Sequence, residues 1–377
     1  MYPLLFCPNP HCENHSPPKN TRWFIKAGRY STSSGRPHQR YRCTACRMRF
    51  SRRTFHIDYC THKQIEYRLI FEMLRSGAGI RDMARTFGVS PNTIQNRIGR
   101  LARQMMAVHA SLTSQLRGGE NIAADGFLSF TGSQYFPTEI THLVGCESQF
   151  VYFFNAANLR RRGTMTEAQK HRRRELEQSF RPPSGELAGQ FNSLSGRLLE
   201  IIARSPQSPL SFVTDEHRVY QRHLKRDPVM KDLVKRGELT HIRISSHRAR
   251  TLTNPLFPVN YIDRELRMMS SDHVRETNKF ARNLNNMMER LWIRIFDLNF
   301  VKPHRINRGE TSDKVSAEVA GLEKRLLVNE IRTLFWRRRF LTKSSFTPWI
   351  DYRTWLRCWV TPMKRTLFER LPRFALQ

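Results

Sequence analysis

The chain has 377 residues, and its 64 Lys and Arg against 32 Asp and Glu give a formal net charge of +32. A field that positive draws polyanions in a salt-dependent way, so nucleic acid is the first partner to consider. Length allows two or three domains, a hydrophobic content of 39% allows a core, and no apolar run is long enough to span a bilayer. The opening Met1 to Phe6 reads as too short for a secretion signal, and seven cysteines, four in paired spacing, suggest metal ligation in a reducing interior. A soluble, intracellular protein is expected.

Residues 1–56 are rich in Pro, Arg and Cys. Cys7-x4-Cys12 and Cys43-x2-Cys46 are two knuckle-like pairs, and two pairs supply the four thiolates of a closed tetrahedral site. This is a zinc-ribbon signature, in which the ion replaces a core that so short a segment does not build. His11 or His15 could stand in for Cys12. Cys60, Cys146 and Cys358 have no spaced partners and read as packing residues.

Residues 62–110 read as a helix-turn-helix domain. Gln64 to Arg75 carries Ile65, Leu69 and Met73 on one helical face, and Gly77-Ala78-Gly79 breaks it. Ile80, Met83, Ala84 and Phe87 mark a second helix that ends at Gly88. Ser90 and Pro91 are a natural cap and first-turn residue for a third helix, buried along Ile94, Ile98 and Leu101. Its other face carries Asn92, Thr93, Asn96, Arg97 and Arg100, side chains suited to bases and phosphates. The same pattern fits a three-helix unit with a solvated polar face.

Residues 119–300 alternate strand-like and helical runs, as in a mixed α/β domain. The charged run 165–178 reads as an exposed helix or insertion. Two apolar runs read as strands that end at Asp125 and Asp215. Glu276, Phe280, Leu284, Met287, Leu291 and Ile295 follow helical steps, which makes Glu276 the inward-facing start of that stripe and turns Glu289 away from it. Together Asp125, Asp215 and Glu276 form a set of hard oxygen ligands for Mg²⁺ or Mn²⁺. A pair of such ions about 3.5–4 Å apart supports displacement at a phosphodiester. Each acid taken singly suits a turn, a cap or an ion pair equally well.

With these features in place, the chain resembles insertion-sequence transposases of the DDE type that carry an N-terminal zinc ribbon and helix-turn-helix. The resemblance rests on the four cysteines, the segment 64–104, Asp125 in Ala-Ala-Asp-Gly, Asp215 in Val-Thr-Asp-Glu-His, and Glu276 with Asn278, Phe280 and Arg282 after it. The stretch Asn254 to Asn260, ahead of Asp263, adds to it. The resemblance implies a multidomain α+β chain whose 119–300 region is an RNase-H-like α/β catalytic domain, a mixed five-stranded sheet with helices on both faces. It implies cleavage and strand transfer at terminal inverted repeats, double-stranded DNA as partner, and a homodimer or larger synaptic complex. It also implies a prokaryotic, nucleoid-associated setting in the cytoplasm.

The separation 276 − 215 = 61 is long for such a triad, and Glu216, Asp263 and Asp272 compete for the third place. Arg275 and Lys279 flank Glu276 and suit a DNA backbone or a solvated face. His217 suits a phosphate or a plain surface position. Residues 301–377 form a basic, aromatic-rich extension, where Arg337-Arg338-Arg339 lies between Phe335, Trp336 and Phe340. That pattern suits stacking on DNA ends and protein packing alike. A non-catalytic DNA-binding regulator derived from a transposase is the alternative function.

Overall fold

The computed structural model describes residues 4–16, 18, 20–32, 35, 37–205, 209–274, 280–305, 312–362 and 373–376. Near the N-terminus, β1 (Phe24–Ser31), β2 (Pro37–Cys43) and β3 (Arg49–Ser51) form an antiparallel sheet in that order. Its small core is aromatic: Trp23 stacks on Phe50 with ring centroids 5.3 Å apart, and Tyr41, Phe55 and Phe340 complete it. Phe340 comes from the far end of the sequence, so the module does not build its core alone.

Three helices follow: α1 (Tyr67–Arg75), α2 (Ile80–Thr86) and α3 (Pro91–Thr113). The punctuation matches the sequence expectation. Gly77 and Gly88 take φ of +77° and +60°, where a side chain is strained. Ser90 Oγ accepts from Thr93 N at 3.2 Å, and Pro91 opens α3. The phase of α1 differs from expectation. The helix begins at Tyr67 and buries Tyr67, Ile70, Phe71 and Leu74, while Leu69 faces solvent. Helix α3 has 23 residues and is buried around most of its circumference. It runs beneath the rest of the protein instead of ending as a free recognition helix.

The second sheet contains β4 (Ile122–Phe130), β5 (Pro137–Gly145), β6 (Val151–Asn158), β7 (Leu210–Asp215) and β8 (Leu239–Ile244). Its order is β6-β5-β4-β7-β8. Strands β4, β5 and β6 pair antiparallel, whereas β7 runs parallel to both β4 and β8, so the sheet is mixed. The connections are helical: α4 (Glu167–Ser179) and α5 (Glu186–Arg204) between β6 and β7, then α6 (Arg218–Arg226) and α7 (Pro228–Lys235) between β7 and β8. Helix α4 is the expected exposed charged helix. It buries no residue, and a Thr166–Gln169 capping box starts it.

Helices α8 (Phe257–Met269) and α9 (Leu284–Phe300) follow β8. On one face of the sheet Phe154 meets Trp292 of α9, with centroids 4.6 Å apart. On the other, Phe153 lies under Arg197 of α5. Helices α3 and α9 cross closely because Gly99 carries no Cβ: one placed there would lie 2.7 Å from Glu289 Oε1. The fold is therefore α+β, with a small ribbon-like module, three helices and a mixed five-stranded sheet joined to them.

The C-terminal extension contains α10 (Ser316–Val319), α11 (Lys324–Leu334), α12 (Leu341–Ser344) and α13 (Tyr352–Trp355). It ties the other parts together. Arg338 N donates to Phe55 O at 2.9 Å, Arg103 Nε to Trp355 O at 3.0 Å, and Asn285 Nδ2 to Trp359 O at 3.0 Å. Arg338 is buried and Arg339 is held by Glu330, so these two arginines pack inside the protein. Among the described residues, no helix is long and apolar enough to cross a membrane.

Candidate functional site

Two sites are built by these elements. In the first, the loop before β1 brings Cys7 and Cys12 to the hairpin between β2 and β3, which carries Cys43 and Cys46. Cys7 Sγ lies 3.5 Å from Cys46 Sγ, Cys12 Sγ lies 3.7 Å from Cys43 Sγ, and all four atoms fall within 4.8 Å of one another. A tetrahedron with Zn–S bonds of about 2.3 Å has S···S edges of about 3.8 Å. The quartet therefore fits a metal such as zinc. Arg47 supports the knuckle in the left-handed region at φ 63°. Burial pushes the Cys7 and Cys12 thiols up, a cost that a bound cation offsets.

His15 is not a substitute ligand. Its Nδ1 lies 2.7 Å from Cys7 O and its Nε2 lies 2.9 Å from Thr342 Oγ1, so it braces the knuckle against α12. Cys60 and Cys358 are exposed, while Cys146 packs against the main core.

The second site lies at the end of the large sheet. The register Ala124↔Thr214 leads β4 into Asp125 and β7 into Asp215, side by side on parallel strands. Strand β7 stops at Asp215, but β4 continues to Phe130, so Asp125 lies within its strand and not at the end. The sequence did not reveal this because β5 pairs with β4 along its whole length and supports it past the acid. Gly126 N donates to Asp125 Oδ1 at 2.8 Å, and His217 N donates to Asp215 Oδ1 at 2.9 Å. Gly126 also leaves room for a neighbour. A Cβ there would lie 3.0 Å from Glu139 Oε1 and 3.0 Å from Thr141 Oγ1.

Helix α8 supplies a third acid. Asp263 is buried, and its Oδ1 lies 3.2 Å from His142 Nε2, where His142 is the cross-strand partner of Asp125. Burial, then the charge of Asp125, pushes the Asp263 carboxyl up to about 8. Burial also lifts Asp125 to about 6, with the charge of Asp215 adding to it, and it pushes His142 down to about 4. At neutral pH the Asp263–His142 contact thus joins a protonated carboxyl to a neutral imidazole and is not an ion pair. Arg250 and Arg267 oppose the rise at both Asp125 and Asp263. Among the described residues, only the cysteine quartet brings three or more potential ligand atoms within reach of one ion.

Glu276, with its flanking Arg275 and Lys279, lies outside the described residues. The helical stripe assigned to it is corrected, because α9 begins only at Leu284, capped by Asn283 Oδ1 accepting from Asn285 N at 2.9 Å. Just before it, Ala281 bridges Thr131 in extended backbone. Glu289, expected to face away from the stripe, is 1% exposed and paired with Arg357 and Gln95. Helix α9 is buried on all sides, so a one-face pattern does not apply to it. Asp272 is paired with Arg290 at 2.6 Å, which with His273 holds it down to about 2 against burial.

The polar face of α3 is also divided. Asn92 and Asn96 are exposed and Thr93 is half-buried. Arg97 and Arg100, by contrast, are only 4% and 5% exposed. Arg97 donates to Lys63 O at 2.7 Å, and Arg100 donates to Ile57 O at 2.7 Å and Tyr59 O at 2.8 Å. They are corrected from DNA-facing to structural groups, because the segment before α1 folds over them and needs donors for its carbonyls.

Two arginine-lined cavities lie near these acids, one of them lined by Asp263 itself. A groove of about 1000 Å³ runs from Glu139 and His217 past Arg160, Arg161, Arg162 and Arg181. On the α8 side, a cavity of about 490 Å³ is lined by Arg250, Arg264 and Arg267. Neither cavity was legible in the sequence, because the residues that line each come from separate elements that only the fold brings together. No protein-family model and no curated protein matches the chain.

Proposed function

We propose that the chain is a DNA transposase of the DDE type whose acids are Asp125, Asp215 and Asp263. The observation that carries this reading is that parallel pairing sets Asp125 of β4 beside Asp215 of β7, while Asp263 of α8, against the cross-strand partner of Asp125, feels the charge of Asp125. The sheet, with α9 on one face and α5 on the other, agrees with an RNase-H-like domain. Asp263 is given the third place as a buried helix carboxyl that couples to Asp125; Glu276 lies outside the described residues.

Carboxylate oxygens are the hard donors that a divalent cation takes; the charge of Asp215 helps raise Asp125, and that of Asp125 helps raise Asp263. Their oxygens do not all lie within reach of one ion as they stand, so binding would have to draw them together. Bound there, Mg²⁺ or Mn²⁺ would supply activation of a water or 3′-hydroxyl and stabilisation of the leaving oxygen. The protein's own part is positioning. Parallel pairing fixes Asp125 beside Asp215, the Gly126 and His217 amides orient one oxygen of each, and the arginine-lined grooves hold the DNA backbone against them. The exposed Asn92 is left for reading the element's terminal repeats, since Asn96 Oδ1 accepts from Arg97 and Arg100. Two DNA ends handled together require a dimer or larger assembly.

The test is Mg²⁺-dependent cleavage of DNA that carries the sequences flanking the chain's own gene. Wild type should cleave, Asp215→Ala and Asp263→Asn should bind without cleaving, and Glu276→Gln should cleave. Binding without cleavage by wild type would favour a non-catalytic regulator. Loss of cleavage in Glu276→Gln with retention in Asp263→Asn would return the third place to Glu276.

A further inference from the structure

Where α3 meets the C-terminal extension, a third and much smaller cavity of about 20 Å³ is lined by Arg100 and Arg103 of α3 and by Arg338 and Arg339 from the segment between α11 and α12. Arg100, Arg103 and Arg338 are buried, and no described Asp or Glu lines the cavity. The hydrogen bonds of these arginines run mostly to backbone. Arg103 Nη1 donates to Gly99 O at 3.3 Å, in addition to the bond from its Nε to Trp355 O, and Arg338 Nη1 donates to Thr54 O at 3.2 Å. Arg338 also lies over the Phe340 ring at 4.3 Å. Carbonyls and rings attract a guanidinium but bring no net charge. The buried Nε of Arg339 makes no hydrogen bond to a described residue.

The carboxylates that act most on these groups are few. Glu330 pairs with Arg339, and Glu289 attracts Arg103 while already paired with Arg357. Asp58 attracts Arg100 less than Arg97 repels it, and Arg100 repels Arg338 in turn. Six guanidinium groups, with Arg97 and Arg357 counted, thus share three carboxylates. Burial pushes Arg103 and Arg338 down to about 10 and lowers Arg100 and Arg339 as well. Cations taken out of water are costly unless a counter-charge accompanies them. A cavity of this size holds one species of about the volume of a water molecule, which excludes phosphate and sulfate. Water would satisfy an N–H group but not the charge. We propose that the cavity binds one halide ion of chloride size, held by Arg100, Arg103, Arg338 and Arg339. The ion completes the joint between α3 and the C-terminal extension, so the stability of that joint depends on chloride and not on ionic strength alone. The site is independent of the acids of the large sheet and of the reaction proposed there.

The test uses the full chain at fixed ionic strength, with chloride exchanged for gluconate, an anion too large for the cavity. The thermal unfolding midpoint should rise by about 2 °C for each tenfold increase in chloride once the Kd of the site is passed. Arg103→Met removes one guanidinium and keeps an unbranched stem, and it should show no such rise while keeping the wild-type circular dichroism spectrum. Wild-type crystals soaked in bromide should carry an anomalous scattering peak within hydrogen-bonding reach of Arg339 Nε. A wild-type midpoint indifferent to chloride overturns the proposal. So does a rise that Arg103→Met shows in full, because that response belongs to the surface charge. If Arg103→Met does not fold, the bromide soak decides: a peak in the cavity upholds the halide, and its absence overturns it.

Discussion

Replacing Asp263 by Asn should stabilise the protein at neutral pH while removing an oxygen that the proposed chemistry needs. Burial, followed by the charge of Asp125, lifts this carboxyl from its ordinary 3.8 to about 8. Between those values the unfolded chain has released the proton and the folded protein retains it. Stability is therefore unaffected below about pH 4, falls as pH rises toward 8, and stays at the lower level above that. Each unit corresponds to about 1.4 kcal/mol. At pH 7 the interval is 7 − 3.8 = 3.2 units, or about 4 kcal/mol, and at pH 4.5 it is 4.5 − 3.8 = 0.7 units, or about 1 kcal/mol. Asparagine keeps the shape and has no proton to lose. Urea unfolding of both proteins at the two pH values should show Asp263→Asn ahead by about 3 kcal/mol more at pH 7 than at pH 4.5. Neither Mg²⁺ nor chelator should be added, because the first would mask the effect and the second would take metal from the cysteines. Equal gains at the two pH values, or a loss at pH 7, would refute the assignment of a buried, protonated Asp263.

Arg100→Ala should destabilise the protein by about 3 kcal/mol, because it leaves the carbonyls of Ile57 and Tyr59 without their charged donor; unchanged unfolding with loss of DNA binding alone would restore Arg100 to the surface role. Cys43→Ser should reduce bound zinc from about one per chain to none and open the segment around Phe340 to protease, since Phe340 shares the small aromatic core. Metal analysis showing zinc retained would rule out the quartet. Ser90→Ala should cost about 1 kcal/mol by removing the α3 cap, measured by thermal unfolding; no change would mean that tertiary packing alone fixes the start of α3.

Sequence alone determined what local chemistry enforces. Paired cysteines at ligand spacing, glycines where φ must be positive, a Ser-Pro helix start and an unburied charged helix are each decided within a few residues. The structure carries all of them as expected. Asp125 and Asp215 were legible as acids on apolar strands because acids are scarce in such runs. Their adjacency was not, since it depends on which strands pair and in which register. Side-chain direction on long buried helices was also beyond the sequence. One-sided periodicity fails on α3 and α9, which are covered all round, and so Arg97, Arg100 and Glu289 turned out to be buried. The continuous helical stripe drawn from Glu276 to Ile295 failed for a related reason, since α9 begins only at Leu284. A helical stripe read through residues 276–283 ignores the extended pairing of Ala281 with Thr131. Tertiary structure alone decided that α8, packed against β4 and β5, is the helix that brings a carboxylate to Asp125.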